Sequence, residues 1–400
     1  MSAATATQLP ATSRLARQST NLPIGYLRAF VTLLVIAHHA ALAYYPLKPP
    51  AAVALTTEPR WWQAFPVVDT VQWKGFLFTV LFNDVYFMSL MFLISGLFTW
   101  KSLQHRGVPG FLRGRLLRLG LPFVVVAMLS PVGYYTAYLQ SRTHDGFWHE
   151  WISLGQWPSG PVWFLAVLLA FDFLASAIYA VVPAAVLACV RQLAKIKNPL
   201  ALAGLLFLVT AAAHVPMALT VDPYAPWSWG PFYVQGVRSV LYLAYFLFGV
   251  ILGAGGLEKG LLQAGSRLGA QWWLWVPAAP ACFALMLSFS YLSHRHWAPA
   301  AWSGTIAISF ALSCTASSLA CLSFFLHFAR KQNAVMNSLV ACAYGMYLIH
   351  YFFTAWTQYA LLGVHLSGLV KGVIVLIVGI SMSWGVTTLL RKIPGVASVI

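Results

Sequence analysis

Along the 400 residues, apolar runs long enough to cross a bilayer recur with little interruption. A helix rises 1.5 Å per residue, so a span of the hydrocarbon core needs about 20 residues. Runs of that kind lie near 24–45, 76–100, 119–138, 162–187, 200–219, 238–254, 272–292, 300–328, 338–360 and 369–390. The sixth is short and the eighth long. This pattern predicts an all-α, polytopic membrane protein of about ten transmembrane helices, with both termini on the same side. It divides the chain into an N-terminal tail over 1–23, read as disordered, a transmembrane domain over 24–392 and a C-terminal tail over 393–400. No internal repeat, linker or soluble domain is visible.

Composition agrees. Hydrophobic residues make up 60% and charged residues only 8%, against roughly 25% charged in a soluble domain. So few charges could not cover a water-facing surface; the solvent is lipid. The net charge of +16 would suggest nucleic acid in a soluble chain, but here the charges fall in short clusters between apolar runs.

Those clusters orient the chain, because Lys and Arg concentrate on the cytoplasmic side. With the N-terminus inside, the inner segments hold Arg14, Arg17, Lys101, Arg106, Arg113, Arg115, Arg118, Arg191, Lys195, Lys197, Lys259, Arg267, Arg330, Lys331, Arg391 and Lys392. The outer segments and their edges hold Lys48, Arg60, Lys74, Arg142, Arg238, Arg295 and Lys371. Both termini are therefore expected in the cytoplasm. Ala41-Leu42-Ala43 resembles a signal-peptidase site, but a cleavable apolar region is short and uncharged. This one contains Arg28, His38 and His39, so it reads as a retained helix. The five cysteines stand apart, with no CxxC pair and no His/Cys ligand spacing, so neither a disulfide nor a bound metal is expected.

The tryptophans are also one-sided. Trp61, Trp62, Trp73, Trp148, Trp151, Trp157, Trp163, Trp227, Trp229, Trp297 and Trp302 fall in the outer segments or at their edges. An interfacial aromatic belt accounts for some of them, although a belt should form at both faces. Aromatic faces outside the membrane also stack on sugar rings, so a belt and a glycan platform both fit.

Candidate chemistry starts in the first span, Gly25-Tyr26-Leu27-Arg28 through His38-His39. Arg28 could simply snorkel and anchor the helix; two histidines deep in the same helix are less easily explained that way. Arg28 and His39 are eleven residues apart, about 16 Å of rise and about three turns, so they share a face. Arg28 then marks the inner entrance of a polar track and His39 its outer end. Histidine suits proton transfer because its ordinary pKa is near 6.5.

With ten residues between them, Arg28 and His39 resemble the Arg-x10-His signature of the acyltransferase 3 family of bacterial membrane O-acyltransferases. Further resemblances follow in order. Met91 to Gly96 is similar to the family's aromatic run ending in Ser-Gly. Arg113-Gly114-Arg115-Leu116-Leu117-Arg118 resembles its basic stretch with an Arg-x-x-Arg step. Pro161 to Leu165 resembles the Trp-Phe-Leu start of the fourth span, and Tyr344 to His350 the late Tyr-x-x-Tyr-Leu-x-His helix. Two positions depart: Gly25 stands where the family has an acidic residue, and the Glu after the fourth-span Trp is absent. The Trp-Phe-Leu form and Leu81-Phe82-Asn83-Asp84 look more like the branch containing the periplasmic glucan succinyltransferase.

The resemblance implies transfer of an acetyl or succinyl group from cytoplasmic acyl-CoA to a carbohydrate hydroxyl outside the bacterial inner membrane. Acyl-CoA is then a substrate, and no bound cofactor is implied. Arg113, Arg115 and Arg118 could hold CoA phosphates or simply anchor the inner face. His39 would be the base and Arg28 would grip the donor. Asp84, His350 and Asp172 lie within spans and could support His39, or pair with structural Arg or Tyr instead. Trp157, Trp163 and Trp229 are candidates to touch the acceptor. A proton-coupled transporter is the rival reading, since intramembrane His, Asp and Arg also build relays; the paired inverted repeats common in such carriers are not visible. A non-catalytic protein that only presents a glycan would leave His39 and the basic run unexplained.

Overall fold

The computed structural model describes residues 22–222, 226–229, 232–293 and 299–400. Most of the predicted N-terminal tail lies outside the described residues. Among those described are ten helical stretches long and apolar enough to cross a membrane. The protein is an all-α, multi-pass membrane protein.

The helices are α1 (Leu22–Leu42), α2 (Gly75–Gly96), α3 (Thr99–Arg115), α4 (Leu121–Gln140), α5 (Phe147–Ser153), α6 (Trp163–Val181), α7 (Pro183–Leu193) and α8 (Pro199–Thr220). After a hairpin of β1 (Pro226–Trp229) and β2 (Phe232–Gln235) come α9 (Ser239–Ala254), α10 (Arg267–Ala270), α11 (Trp272–Ser293), α12 (Pro299–Phe328), α13 (Ala334–Ala360) and α14 (Gly368–Leu390). The hairpin is antiparallel with Trp227 opposite Val234.

Two boundaries differ from the apolar pattern, each for a local reason. The fourth span ends at Val181, not near 187, because Pro183 offers no N–H and forces Val182 out of the helix (φ −131°, ψ 46°). The segment beyond it, α7, has no buried residue and carries Arg191 at its end. The third span begins earlier than 119. α3 breaks at Gly107, whose φ of 64° suits glycine. It then passes through a wider π turn, Leu116–Gly120, directly into α4. The basic run therefore lies on a helix continuous with the third span.

α1 is the central element. It packs against α2, α12, α13 and α14. α1 and α13 run parallel and are tied at both ends. At one end the Tyr26 hydroxyl donates to Asn337 Oδ1 (2.9 Å) and accepts from the Asn333 N–H (2.8 Å). At the other, Gln358 Nε2 donates to the carbonyls of His39 (2.8 Å) and Ala40 (3.3 Å). Those carbonyls belong to the last turn of α1, which has no intrahelical donors of its own. α2 and α9 are pressed together by glycines: a Cβ on Gly249 or Gly253 would strike the carbonyls of Leu93 and Leu97. Small residues at such crossings let helix backbones approach.

The two ends of the bundle differ. The segments 43–74 and 141–162 fold into a cap over one end, with Leu55, Trp62, Tyr134, Phe147, Trp151 and Leu154 packed on Tyr351 of α13. The cap is fastened by a buried ion pair, Lys371 Nζ to Asp69 Oδ2 at 2.6 Å, and by Gln140, which exchanges two hydrogen bonds with the Val68 backbone. Burial and the neighbouring Asp69 carboxylate push the Tyr44 hydroxyl above its ordinary range. The opposite end carries the basic run, and there residues 393–400 fold back, Arg118 donating to the Ser398 carbonyl.

Candidate active site

His39 occupies the last turn of α1, and its ring meets α13. The His39 and His350 ring centroids are 5.2 Å apart, and Tyr351 stands edge-on to His39 at 5.4 Å. His350 is fully buried. Its Nδ1 lies 2.7 Å from the Tyr347 carbonyl oxygen; a carbonyl only accepts, so Nδ1 carries the proton. Nε2 of neutral His350 is then a lone-pair acceptor, and it has no protein partner. Nδ1 of His39 is likewise buried and unpartnered. Two adjacent imidazoles thus keep unsatisfied nitrogens, one of them with its tautomer fixed by the backbone.

Arg28 lies three turns below on the same face of α1. Its side chain remains exposed. Among the described residues no carboxylate lies within ion-pair distance of it. A cation held that way is open to an anionic or carbonyl-bearing ligand.

His38 faces another wall. Its ring stacks on Phe87 of α2 at 5.2 Å and lies in electrostatic range of Asp84 and Arg238. Asp84 is paired with Arg238: NH2 reaches Oδ2 at 2.6 Å and NH1 the Asp84 carbonyl at 2.6 Å. The guanidinium also lies 5.4 Å over the Phe310 ring. Of the three residues named to support His39, only His350 is brought against it. Asp84 belongs with His38, and Asp172 lies elsewhere. Asp172 is fully buried in α6 and holds Arg115 (Nε to Oδ2, 3.1 Å), with Thr99 beside both.

The three arginines of the basic run therefore separate. Arg115 is committed to Asp172, which ties α3 to α6. Arg113 and Arg118 remain exposed, and the Arg118 carbonyl accepts from the Tyr344 hydroxyl.

The tryptophans separate too. Trp157 stays exposed while its indole N–H donates to the Ala127 carbonyl at 2.6 Å. Within α4 that carbonyl would accept from position 131, but Pro131 has no N–H. Trp157 replaces the missing donor. Trp163 starts α6 half-buried, 6.0 Å from the Tyr242 ring. Trp229 belongs to β1, and its side chain lies outside the described residues. A cavity lined by Ser130, Ser159, Gly160, Pro161, Tyr347 and Tyr351 opens beside the His350 turn.

Arg238, Gln358 and Tyr351 were not singled out from the sequence. Arg238 had a usable signal, because an intramembrane Asp84 requires a cation at its own depth.

A family model for an acyltransferase domain matches residues 22–389, nearly the whole chain. The chain belongs to the acyltransferase 3 family. It is a membrane acyltransferase. No curated protein and no solved structure matches it.

Proposed function

We propose that the protein moves an acyl group, acetyl or succinyl, from cytoplasmic acyl-CoA to a hydroxyl of a carbohydrate on the other side of a bacterial inner membrane. The observation that carries this reading is the alignment of exposed, unpaired Arg28 with His39 on one face of the central helix, His39 lying against the fixed imidazole of His350. The donor enters from the basic end, where Arg113 and Arg118 hold its phosphates and Arg28 grips the chain near the thioester. The acceptor enters through the capped end, where Trp157 and Trp163 flank its path.

The reaction balances without a cofactor. His39 takes the proton from the acceptor hydroxyl as its oxygen attacks the thioester carbonyl. The C–S bond then breaks, and His39 returns the proton to the departing thiolate, leaving the ester and CoA thiol. His350, with Nδ1–H bonded to the Tyr347 carbonyl, offers Nε2 to orient the His39 ring.

Purified protein incubated with radiolabelled acetyl-CoA or succinyl-CoA and a soluble glucan should place label in the glucan. Arg28→Lys should reduce that transfer, since an ammonium lacks the planar fork. Absence of glucan labelling with either donor contradicts the reading. Sidedness is read from thiol labelling of sealed cells after Cys189 is replaced. Cysteine at Asp145 should react with an impermeant reagent and cysteine at Lys331 should not; the reverse would invert donor and acceptor sides.

A further inference from the structure

Asp84 is held by Arg238 in an unusual way. A guanidinium that only neutralises a carboxylate tends to grip both of its oxygens. Here the fork takes Oδ2 and the Asp84 backbone carbonyl. The other carboxylate oxygen has no protein partner. A third of the side chain stays accessible (33%), so the free oxygen is open to a ligand. An ionised carboxylate only accepts hydrogen bonds, and Arg238 already balances its charge. Its complement is an uncharged donor, namely a hydroxyl.

Position supplies the second half. Asp84 and Phe87 are three residues apart and share a face of α2. Phe87 stacks on His38, and the His38 and His39 rings are 5.7 Å apart. Asp84 and His39 are therefore both neighbours of His38.

We propose that Asp84 is an acceptor-positioning residue whose free oxygen takes a hydrogen bond from a second hydroxyl of the acceptor molecule while the first reacts at His39. This rests on the acyl-transfer reading above. It makes the acceptor polyhydroxylated, since a molecule with one hydroxyl leaves either His39 or the free carboxylate oxygen without its hydroxyl. A site built to hydrogen-bond a hydroxyl discriminates strongly against analogues that lack it.

The test compares methyl β-D-glucopyranoside with cyclohexylmethanol, a ring bearing a single hydroxyl, as acceptors of radiolabelled acetyl from acetyl-CoA. The parental protein should favour the glucoside by at least about tenfold in kcat/KM. Asp84→Ala with Arg238→Met removes both charges, so no stranded ion confounds folding. That double variant should raise the glucoside KM by about tenfold, change kcat far less and erase the preference. Asp84→Glu should restore part of it. If the double variant keeps the parental KM and preference, Asp84 and Arg238 are structural and the proposal is overturned. It is also overturned if the parental protein transfers acetyl to both acceptors equally, and the acyl-transfer reading then survives. If neither acceptor is labelled and no CoA is released, with acetyl-CoA or with succinyl-CoA as donor, that reading has failed and the Asp84 assignment falls with it.

Discussion

His38 and His39 are consecutive residues that face two differently built walls. A helix turns about 100° per residue, so His39 meets α13 while His38 meets α2. The α13 wall is neutral: His350 is fixed by a carbonyl, Gln358 caps the end of α1, and Tyr351 closes the edge. The α2 wall is ionic, with Asp84 and Arg238 paired at 2.6 Å near His38 and with Phe87 stacked on the His38 ring. A neutral wall leaves an imidazole free to exchange a proton. A wall with a fixed charge pair suits recognition and support. Identical side chains one position apart are thus set to different tasks by what stands opposite them.

The largest stability effect should come from breaking the ionic wall. Arg238→Met strands Asp84 within the bundle and should destabilise the detergent-solubilised protein by about 3 kcal/mol, read as a fall in thermal midpoint. Replacing Asp84 as well should recover most of that loss. A midpoint unchanged in Arg238→Met would show that the charges are well hydrated and the wall is not a buried pair.

The neutral wall should fail differently. His350→Leu keeps the volume apolar and removes the orienting acceptor, so transfer should fall about 10–100-fold, as for other groups that orient a reacting imidazole, while the thermal midpoint moves little. Parental turnover in His350→Leu would detach α13 from the chemistry. Gln358→Leu leaves the His39 and Ala40 carbonyls without their donor and should cost about 1–2 kcal/mol, visible as a lower midpoint.

Trp157 marks the small end of the scale. Trp157→Phe keeps an aromatic surface but withdraws the donor that Pro131 makes necessary, for a loss of about 1 kcal/mol. If the midpoint holds while the glucan KM rises, Trp157 serves the acceptor more than α4.

How far these walls were visible in the sequence depends on the distance over which each is built. The ten spans were legible because each is a local apolar run of sufficient length. Arg28 and His39 were legible because both lie on one helix, where spacing alone fixes the shared face. His350 could be named only as an intramembrane histidine, since its approach to His39 joins positions 311 residues apart. Asp84 was legible as an acid within a span that could support His39 or pair with a structural Arg or Tyr, but its cation, Arg238, looked like an ordinary charge at a span edge. Trp157 fitted an aromatic belt or a glycan platform alike, because sequence shows a tryptophan in an outer segment and not the carbonyl orphaned by a proline in another helix. The fourth span was overrun by several residues because apolarity continues through Pro183, where backbone chemistry ends the helix.

The most direct test sets His39→Gln beside His38→Gln in one transfer assay, with folding checked by size-exclusion profile and donor binding measured for both. Glutamine keeps polarity and approximate volume and cannot act as the titratable base. The two walls predict a loss of about 10²–10⁴-fold for His39→Gln and less than tenfold for His38→Gln. Near-parental transfer by His39→Gln, or a dead His38→Gln beside an active His39→Gln, would contradict the account.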